Sequence, residues 1–218
     1  MAGMKLYTYW RSTAAYRVRI ALNIKTMQYE QVPVHLTKDG GEQHQGQYRA
    51  KNPQGLVPTL MDGGKLITQS LAIVEYLEEK QASPSLLPNE PSARARVRSL
   101  AQLIACEVHP LNNLRVLQYL SNEVGVSDSQ KTAWYHHWLA EGLGAMEMRL
   151  ANESDTGQFC HGDEPGLADL CLVPQLYNAR RFDFPLDDFP TLVEIDARCR
   201  DLDAFRAAAP EAQPDAVN

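Results

Sequence analysis

A small mixed α/β domain followed by an all-helical one is the fold class that this sequence predicts, on three observations. Strand-like and helix-like patterns alternate over the first eighty residues. Prolines then punctuate Ser83 to Pro91 at positions 84, 88 and 91, as in a linker. Beyond them the apolar residues recur only at helical spacing. The expected boundaries are residues 1–83 for the first domain, 84–91 for the linker and 92–218 for the helical domain.

The elements follow in order. Lys5 to Trp10 is a short β-prone run, and Ser12 and Thr13 then offer helix N-caps ahead of an apolar face of Ala14, Val18, Ala21 and Leu22. Gln31 to Leu36 reads as a second strand, with Pro33 marking an edge position because proline has no N–H to give. Lys38 to Lys51 is polar and reads as loop or short helix. Asp62-Gly63-Gly64 between Leu56–Met61 and Lys65–Thr68 signals a hairpin. Gln69 and Ser70 open a helix with Leu71, Val74 and Leu77 spaced for burial. The order is β-α-β, then β-β-α. In the second part, helices are expected over 93–123, bent at Pro110, and over 128–150. A third should begin near Gly166, with Asp169 placed to accept from the free N–H groups of its first turn.

The bulk composition narrows the function. A net charge of -6 disfavours nucleic acid as a partner, so any anionic substrate needs locally gathered arginines. No apolar run approaches membrane-spanning length, and MAGMKLYTYW lacks the pattern of a secretory leader, so a cytoplasmic, non-membrane protein is expected. Cys106, Cys160, Cys171 and Cys199 have no metal-like spacing and are expected as buried thiols in a reducing compartment, with no metal site. His136 and His137, adjacent on a helix, point apart and cannot chelate one ion. Trp134 and Trp138 are expected in the core, and Asp187 and Asp188 in solvent.

Three features could carry chemistry. At the turn Arg11-Ser12-Thr13-Ala14 a helix N-terminus favours an anion, and a hydroxyl there can donate to a thiolate, although simple capping would serve the same residues. Pro58 after Val57 is awkward in a ladder. Either it sits on an edge, or a cis Val57-Pro58 bond exposes the Val57 backbone to an extended peptide. Gln69-Ser70 is a second helix start, suited to a carboxylate. Two such starts beside a peptide-docking edge describe a site for a short acidic peptide with a thiol, which glutathione matches.

The same residues carry a resemblance. Arg11-Ser-Thr-Ala-Ala-Tyr-Arg-Val-Arg-Ile-Ala-Leu22 closely resembles the signature of the zeta-class glutathione transferases. So do Lys38–Gly41, Asn52-Pro53, Val57–Leu60, Gln69–Leu77, His109–Arg115 and GDEPGLADLCLVP over residues 162–174. The likeness runs nearly end to end, with its motifs in family order. It implies a thioredoxin-like domain and an all-helical domain, the glutathione-transferase fold, usually in a homodimer. By position, Ser12 would hydrogen-bond the glutathione sulfur, and Thr13 stands where a second serine is usual. Gln43, Val57, Gln69 and Ser70 would hold the glutathione backbone and its γ-glutamyl carboxylate. His109 and Asn113 match positions where the helical domain reaches the cofactor.

Three departures from the family pattern matter. Ala14 replaces the usual cysteine, which excludes a protein thiol at this turn. Gly166 replaces a capping threonine, at a cost of only a few tenths of a kcal/mol. His109 stands where some members have glutamine.

The implied activity is glutathione-dependent cis-trans isomerisation of maleylacetoacetate to fumarylacetoacetate. Adding a thiolate to the conjugated alkene lowers the bond order, and the thiolate leaves after rotation. A free thiol titrates near ~8.5, so Ser12 and the helix dipole would lower that value. For the small dicarboxylic substrate, Arg11, Arg115 and Arg181 are the candidates, since a guanidinium grips carboxylates bidentately, an ordinary surface ion pair being the alternative for each. Arg17 and Arg19 face away from the helix start and read as structural. The alternatives are maleylpyruvate isomerisation, glutathione transfer to or dehalogenation of α-halo acids, and a non-enzymatic scaffold. Retention of Ser12, Gln69 and Ser70 argues against the last.

Overall fold

The computed structural model describes residues 3–217. These form two compact units, Met1–Leu86 with Asp201–Asn218, and Leu87–Arg200. The first break lies within the expected linker. The second corrects the expected boundary, because residues 201–218 join the first unit rather than the helical one.

In the first unit the order is β1 (Lys5–Thr8), α1 (Thr13–Ile24), β2 (Glu30–Pro33), α2 (Gly46–Arg49), β3 (Thr59–Asp62), β4 (Lys65–Thr68) and α3 (Ser70–Lys80). The sheet order is β2-β1-β3-β4, with β1 and β2 parallel and the other pairs antiparallel. Pro33 lies on an edge strand, as proline requires. Gly63 and Gly64 both take positive φ, 54° and 80°, which a two-residue turn between twisted strands demands and glycine adopts without strain.

Strand alternation sorts β1. Leu6 and Thr8 are fully buried, while Tyr7 turns to the other face and meets Tyr48 edge-on at 6.1 Å. Helix α1 packs on α3 and is buried around nearly its whole girth from Ala15 to Leu22. Val18, Ala21 and Leu22 are fully buried, as the apolar face predicts, but Ala14 is only half-buried. In α3, Ile73 joins Val74 and Leu77 in the core, where the spacing put Leu71. Helix α9 (Asp203–Ala208), absent from the sequence reading, packs on α1. The acceptor that Arg19 needs explains the return of this tail: the guanidinium is fully buried and its Nε donates to Ala208 O at 3.0 Å.

The second unit holds α4 (Pro91–Gln102), α5 (Leu114–Tyr119), α6 (Asp128–Asn152), α7 (Leu167–Arg181) and α8 (Pro190–Arg200). Glu90 caps α4, accepting from Ala93 N at 2.8 Å, and Pro91 stands at its first position, where a missing N–H costs nothing. The single bent helix expected over 93–123 is instead α4, a π-helical turn (Leu103–Val108), a break at 109–113, and α5 with a second π turn (Leu120–Val124). Cys106 sits on the first π turn and is exposed, against the expectation of four buried thiols. Helix α8 was not anticipated. Trp134 and Trp138 are half-buried rather than core, in a T-shaped pair at 5.7 Å.

Asp169 is buried at the start of α7. Its Oδ2 accepts from Gly166 N at 2.8 Å and its Oδ1 from Cys160 N at 2.9 Å, and burial pushes its carboxyl above the ordinary range despite these bonds. Asp169→Ala strands the buried Cys160 N–H and the half-buried Gly166 N–H and is expected to lower stability by about 2 kcal/mol. A denaturant melt would show this as an earlier midpoint with unchanged slope. An unmoved midpoint would show that these donors find other acceptors.

Candidate active site

The turn after β1 places Ser12 at the N-cap of α1, in extended conformation, with its Oγ accepting from Ala15 N at 3.2 Å. One hydroxyl has two lone pairs and a hydrogen, so this cap leaves the hydrogen available to an incoming acceptor. Thr13 begins the helix and is buried. Arg11 lays its guanidinium on the Trp10 ring, 4.8 Å from the centroid, which holds the charge beside the turn.

Ser70 begins α3 and is buried. Its Oγ accepts from Nη1 of the buried Arg17 at 3.2 Å, so the serine hydrogen is turned away from the cation and is free to donate. Gln69, just before it, has φ 69° and ψ 118°, a strained conformation for a side-chain-bearing residue, and its Nε2 donates to Gln54 Oε1 at 2.7 Å. Neither α1 nor α3 has an acidic residue in its first turn, whereas α6, α7 and α9 each carry an aspartate there. The same lack is shared by α2, α4, α5 and α8, so it leaves the positive ends of α1 and α3 open to an external anion without by itself singling them out.

The Val57-Pro58 bond is cis. Before it, Leu56 O accepts from Tyr48 Oη at 2.6 Å and from Asn52 Nδ2 at 2.8 Å, which holds the approach to β3. Val57 is buried, yet its backbone N–H and carbonyl have no partner among the described residues. Gln43 is also buried. Its Nε2 donates to Leu36 O at 3.0 Å, but its Oε1 has no partner. Gly41 makes room for that amide, since a Cβ on it would lie 2.5 Å from Gln43 Nε2. Buried polar groups without partners are costly, and a peptide ligand would satisfy both. The residues of this unit thus fit a short thiol peptide with a free carboxylate, as glutathione is. Ser12, Thr13, Gln43, Val57, Gln69 and Ser70 all lie in it.

The remaining candidates lie in the second unit. His109 and Asn113 border the break after the π turn, with Asn113 Nδ2 and His109 Nε2 3.5 Å apart. Asn113 caps α5, accepting from Arg115 N at 3.2 Å, and Arg115 is exposed. Helix α6 braces this break: Trp134 Nε1 donates to Leu111 O at 2.9 Å, and Asn112 Nδ2 donates to Tyr135 O at 3.0 Å. Tyr135 stacks on Phe182 at 3.9 Å, and Arg181 lies over the Phe182 ring at 4.5 Å. One chain of contacts therefore links the break carrying His109, Asn113 and Arg115 to the end of α7 carrying Arg181. Burial pushes the Tyr135 hydroxyl far up, opposed by the Arg181 charge.

Sequence reasoning missed Arg17 behind Ser70 and Gln54 behind Gln69. A charged residue inside the apolar run Ala15–Leu22 was the available signal for the first; nothing local pointed to the second. All four cysteines lie in the second unit, and burial first, then the Asp169 charge, drives the Cys160 and Cys199 thiols well above their ordinary range. Among the described residues no helix is long and apolar enough to cross a membrane, and no His, Cys, Asp and Glu cluster is placed to hold a metal.

Residues 6–85 match the N-terminal domain of glutathione S-transferases. The chain is 50% identical to a probable maleylacetoacetate isomerase of Vibrio cholerae, covering 99% of this chain and 100% of that one. A holo structure of maleylpyruvate isomerase, a bacterial zeta-class glutathione S-transferase, superposes with a TM-score of 0.95 at 46% identity, over 98% of this chain and 100% of that one. The maleylacetoacetate isomerase of Methylobacterium extorquens, solved with malonate and glutathione bound, does so with a TM-score of 0.94 at 45% identity, with the same coverages of 98% and 100%.

Proposed function

The chain belongs to the zeta-class glutathione transferase family that includes the maleylacetoacetate and maleylpyruvate isomerases, and from that premise we propose that it isomerises maleylacetoacetate to fumarylacetoacetate with glutathione. The observation that carries this reading is Ser12 at the start of α1, on a unit without a single cysteine. Sulfur chemistry at that turn needs a thiol from outside, and Ala14 supplies none.

When bound, glutathione supplies a thiolate that adds reversibly to the conjugated double bond, so that rotation becomes fast. The protein's part is to hold and polarise. Ser12 donates to the sulfur, and the α1 dipole favours its negative charge, with Thr13 as a neighbouring hydroxyl. Gln43 and the Val57 backbone pair with the peptide, while Gln69 and Ser70 take its γ-glutamyl carboxylate, Arg17 keeping the Ser70 hydrogen directed outward. His109 and Asn113 are assigned to the cofactor. Arg11, Arg115 and Arg181 take the substrate's carboxylates, whose charge an acidic chain can attract only through such local cations. The compartment proposed is the cytoplasm, where glutathione is plentiful and thiols stay reduced, and the proposed assembly is a homodimer.

Maleylpyruvate is the second reading, since a relative named for that substrate is nearly as similar. Isomerisation of both compounds should be followed with and without glutathione. Turnover is expected only with glutathione, with the higher kcat/KM for maleylacetoacetate. A preference for maleylpyruvate would reverse the substrate assignment. Glutathione binding without turnover of either compound would leave a conjugating or dehalogenating transferase.

A further inference from the structure

The turn that presents Ser12 is held from the far end of the chain. Trp10 N–H, just beyond β1, donates to Asp215 Oδ2 at 2.9 Å across a separation of 205 residues. Tyr9 O accepts from Ser12 N at 2.9 Å and from Arg19 Nη1 at 3.3 Å, and Trp10 O accepts from Arg19 Nη2 at 2.9 Å. Two side chains outside the turn, one of them on the C-terminal tail, therefore fix the Trp10 peptide from both of its sides. The tail is itself anchored around Asp215. Gln213 is buried, its Nε2 donating to Ala207 O at 3.0 Å and Ala209 O at 2.7 Å, while its Oε1 accepts from Gln31 Nε2 of β2 at 3.0 Å. Ala216 packs against the cluster that contains Tyr9 and Trp10.

We propose that Asp215 is a positioning residue for the reaction: its carboxylate fixes the Trp10 peptide and thereby the presentation of the Ser12 hydroxyl and of Arg11, which rides on the Trp10 ring. The proposal rests on the assignment of Ser12 to the glutathione sulfur. Ser12 lies two residues beyond the held N–H, inside the same Tyr9 O to Ser12 N turn, so a freed peptide plane carries the hydroxyl with it. Small misplacements of a catalytic group are costly in rate.

The sign of one effect separates positioning from plain charge. Removing a negative charge near the sulfur would by Coulomb's law make a thiolate easier to form. Loss of the brace makes it harder, because the Ser12 donor is no longer aimed. Asp215→Ala is therefore expected to raise the pKa of the bound glutathione thiol, read from the ultraviolet absorbance of the thiolate against pH. It should also lower kcat about tenfold while KM for glutathione changes less than about threefold. Asp215→Asn keeps an acceptor oxygen without the charge and should restore both to within about twofold.

Amide hydrogen exchange of the protein without ligand provides an independent readout. It should quicken at Trp10–Ala15 in the alanine variant only, with the middle of α1 unchanged. Unaltered kcat and exchange in the alanine variant would overturn the proposal, as would an asparagine variant as impaired as alanine, or exchange that rises across the whole unit. If the wild-type protein binds no glutathione, the assignment of Ser12 falls, and the exchange data alone still decide whether Asp215 braces the turn.

Discussion

Replacing Ser12 with alanine is expected to lower kcat/KM for glutathione-dependent isomerisation by about 100- to 1000-fold, the usual effect of deleting a donor aimed at developing negative charge. Because Ser12 Oγ also accepts from Ala15 N at 3.2 Å, the same substitution should cost stability, by about 1 kcal/mol for a lost N-cap. The two effects can be separated. Glycine is nearly as good a cap as serine but carries no hydroxyl, so Ser12→Gly should lose the activity while keeping stability to within a few tenths of a kcal/mol. Ser12→Thr keeps the hydroxyl and should keep most of both. The measurements are steady-state kinetics at saturating glutathione and a denaturant midpoint for each variant. If the alanine variant retained more than about a tenth of the activity, the thiolate would be held by the helix dipole and other donors, and Ser12 would be a cap alone.

The largest expected loss of stability comes from Lys25, the last charge on the buried end of α1. Its Nζ meets Glu78 Oε2 of α3 at 2.7 Å, and it also donates to Gln81 O at 2.6 Å and Pro84 O at 2.8 Å. The Lys25 side chain is fully enclosed. Glu78 further accepts from Ser85 Oγ at 2.7 Å and Leu86 N at 3.0 Å, so this one network closes α1, α3 and the segment that follows. Lys25→Met leaves a buried carboxylate without its cation and should cost about 3–5 kcal/mol, a fall in Tm of about 10 °C.

The loss should depend on pH in a defined sense. Burial works to raise the Glu78 pKa, but the bonds from Lys25, Leu86 and Ser85 outweigh it and hold the carboxyl below its ordinary 4.5. The stability this contributes is complete above that value and is lost as pH falls through the lower, folded one. In the methionine variant burial dominates and Glu78 binds its proton more readily in the folded state. The gap between wild type and variant should therefore narrow on acidification. A gap independent of pH would show that the loss is one of packing rather than of charge.

The elements of the first unit, and the start of α7 in the second, were legible because each has a local cause. Ser12 caps α1, Pro33 marks an edge, Gly63-Gly64 makes the hairpin and Asp169 closes the start of α7. These features act over two to four residues, which is the range that a pattern in sequence can report. The break within 93–123 was hidden, since Val97, Leu100, Ile104, Leu111 and Leu114 keep helical intervals straight across it.

The sequence by itself determined the order of most elements of the first unit, the helix starts at Ser12 and Ser70 and the lack of any cysteine before residue 106, and through these the kind of ligand expected and the need for an external thiol. Only the tertiary structure decided which side chains stand behind them. Arg17 reaches Ser70 across 53 residues, Lys25 reaches Glu78, and the C-terminal tail leaves the helical unit to bond Arg19 and Trp10. The physical reason is common to all three. A buried guanidinium, ammonium or N–H must find an acceptor or a counter-charge somewhere, and which one it finds depends on how the helices pack, not on its neighbours along the chain.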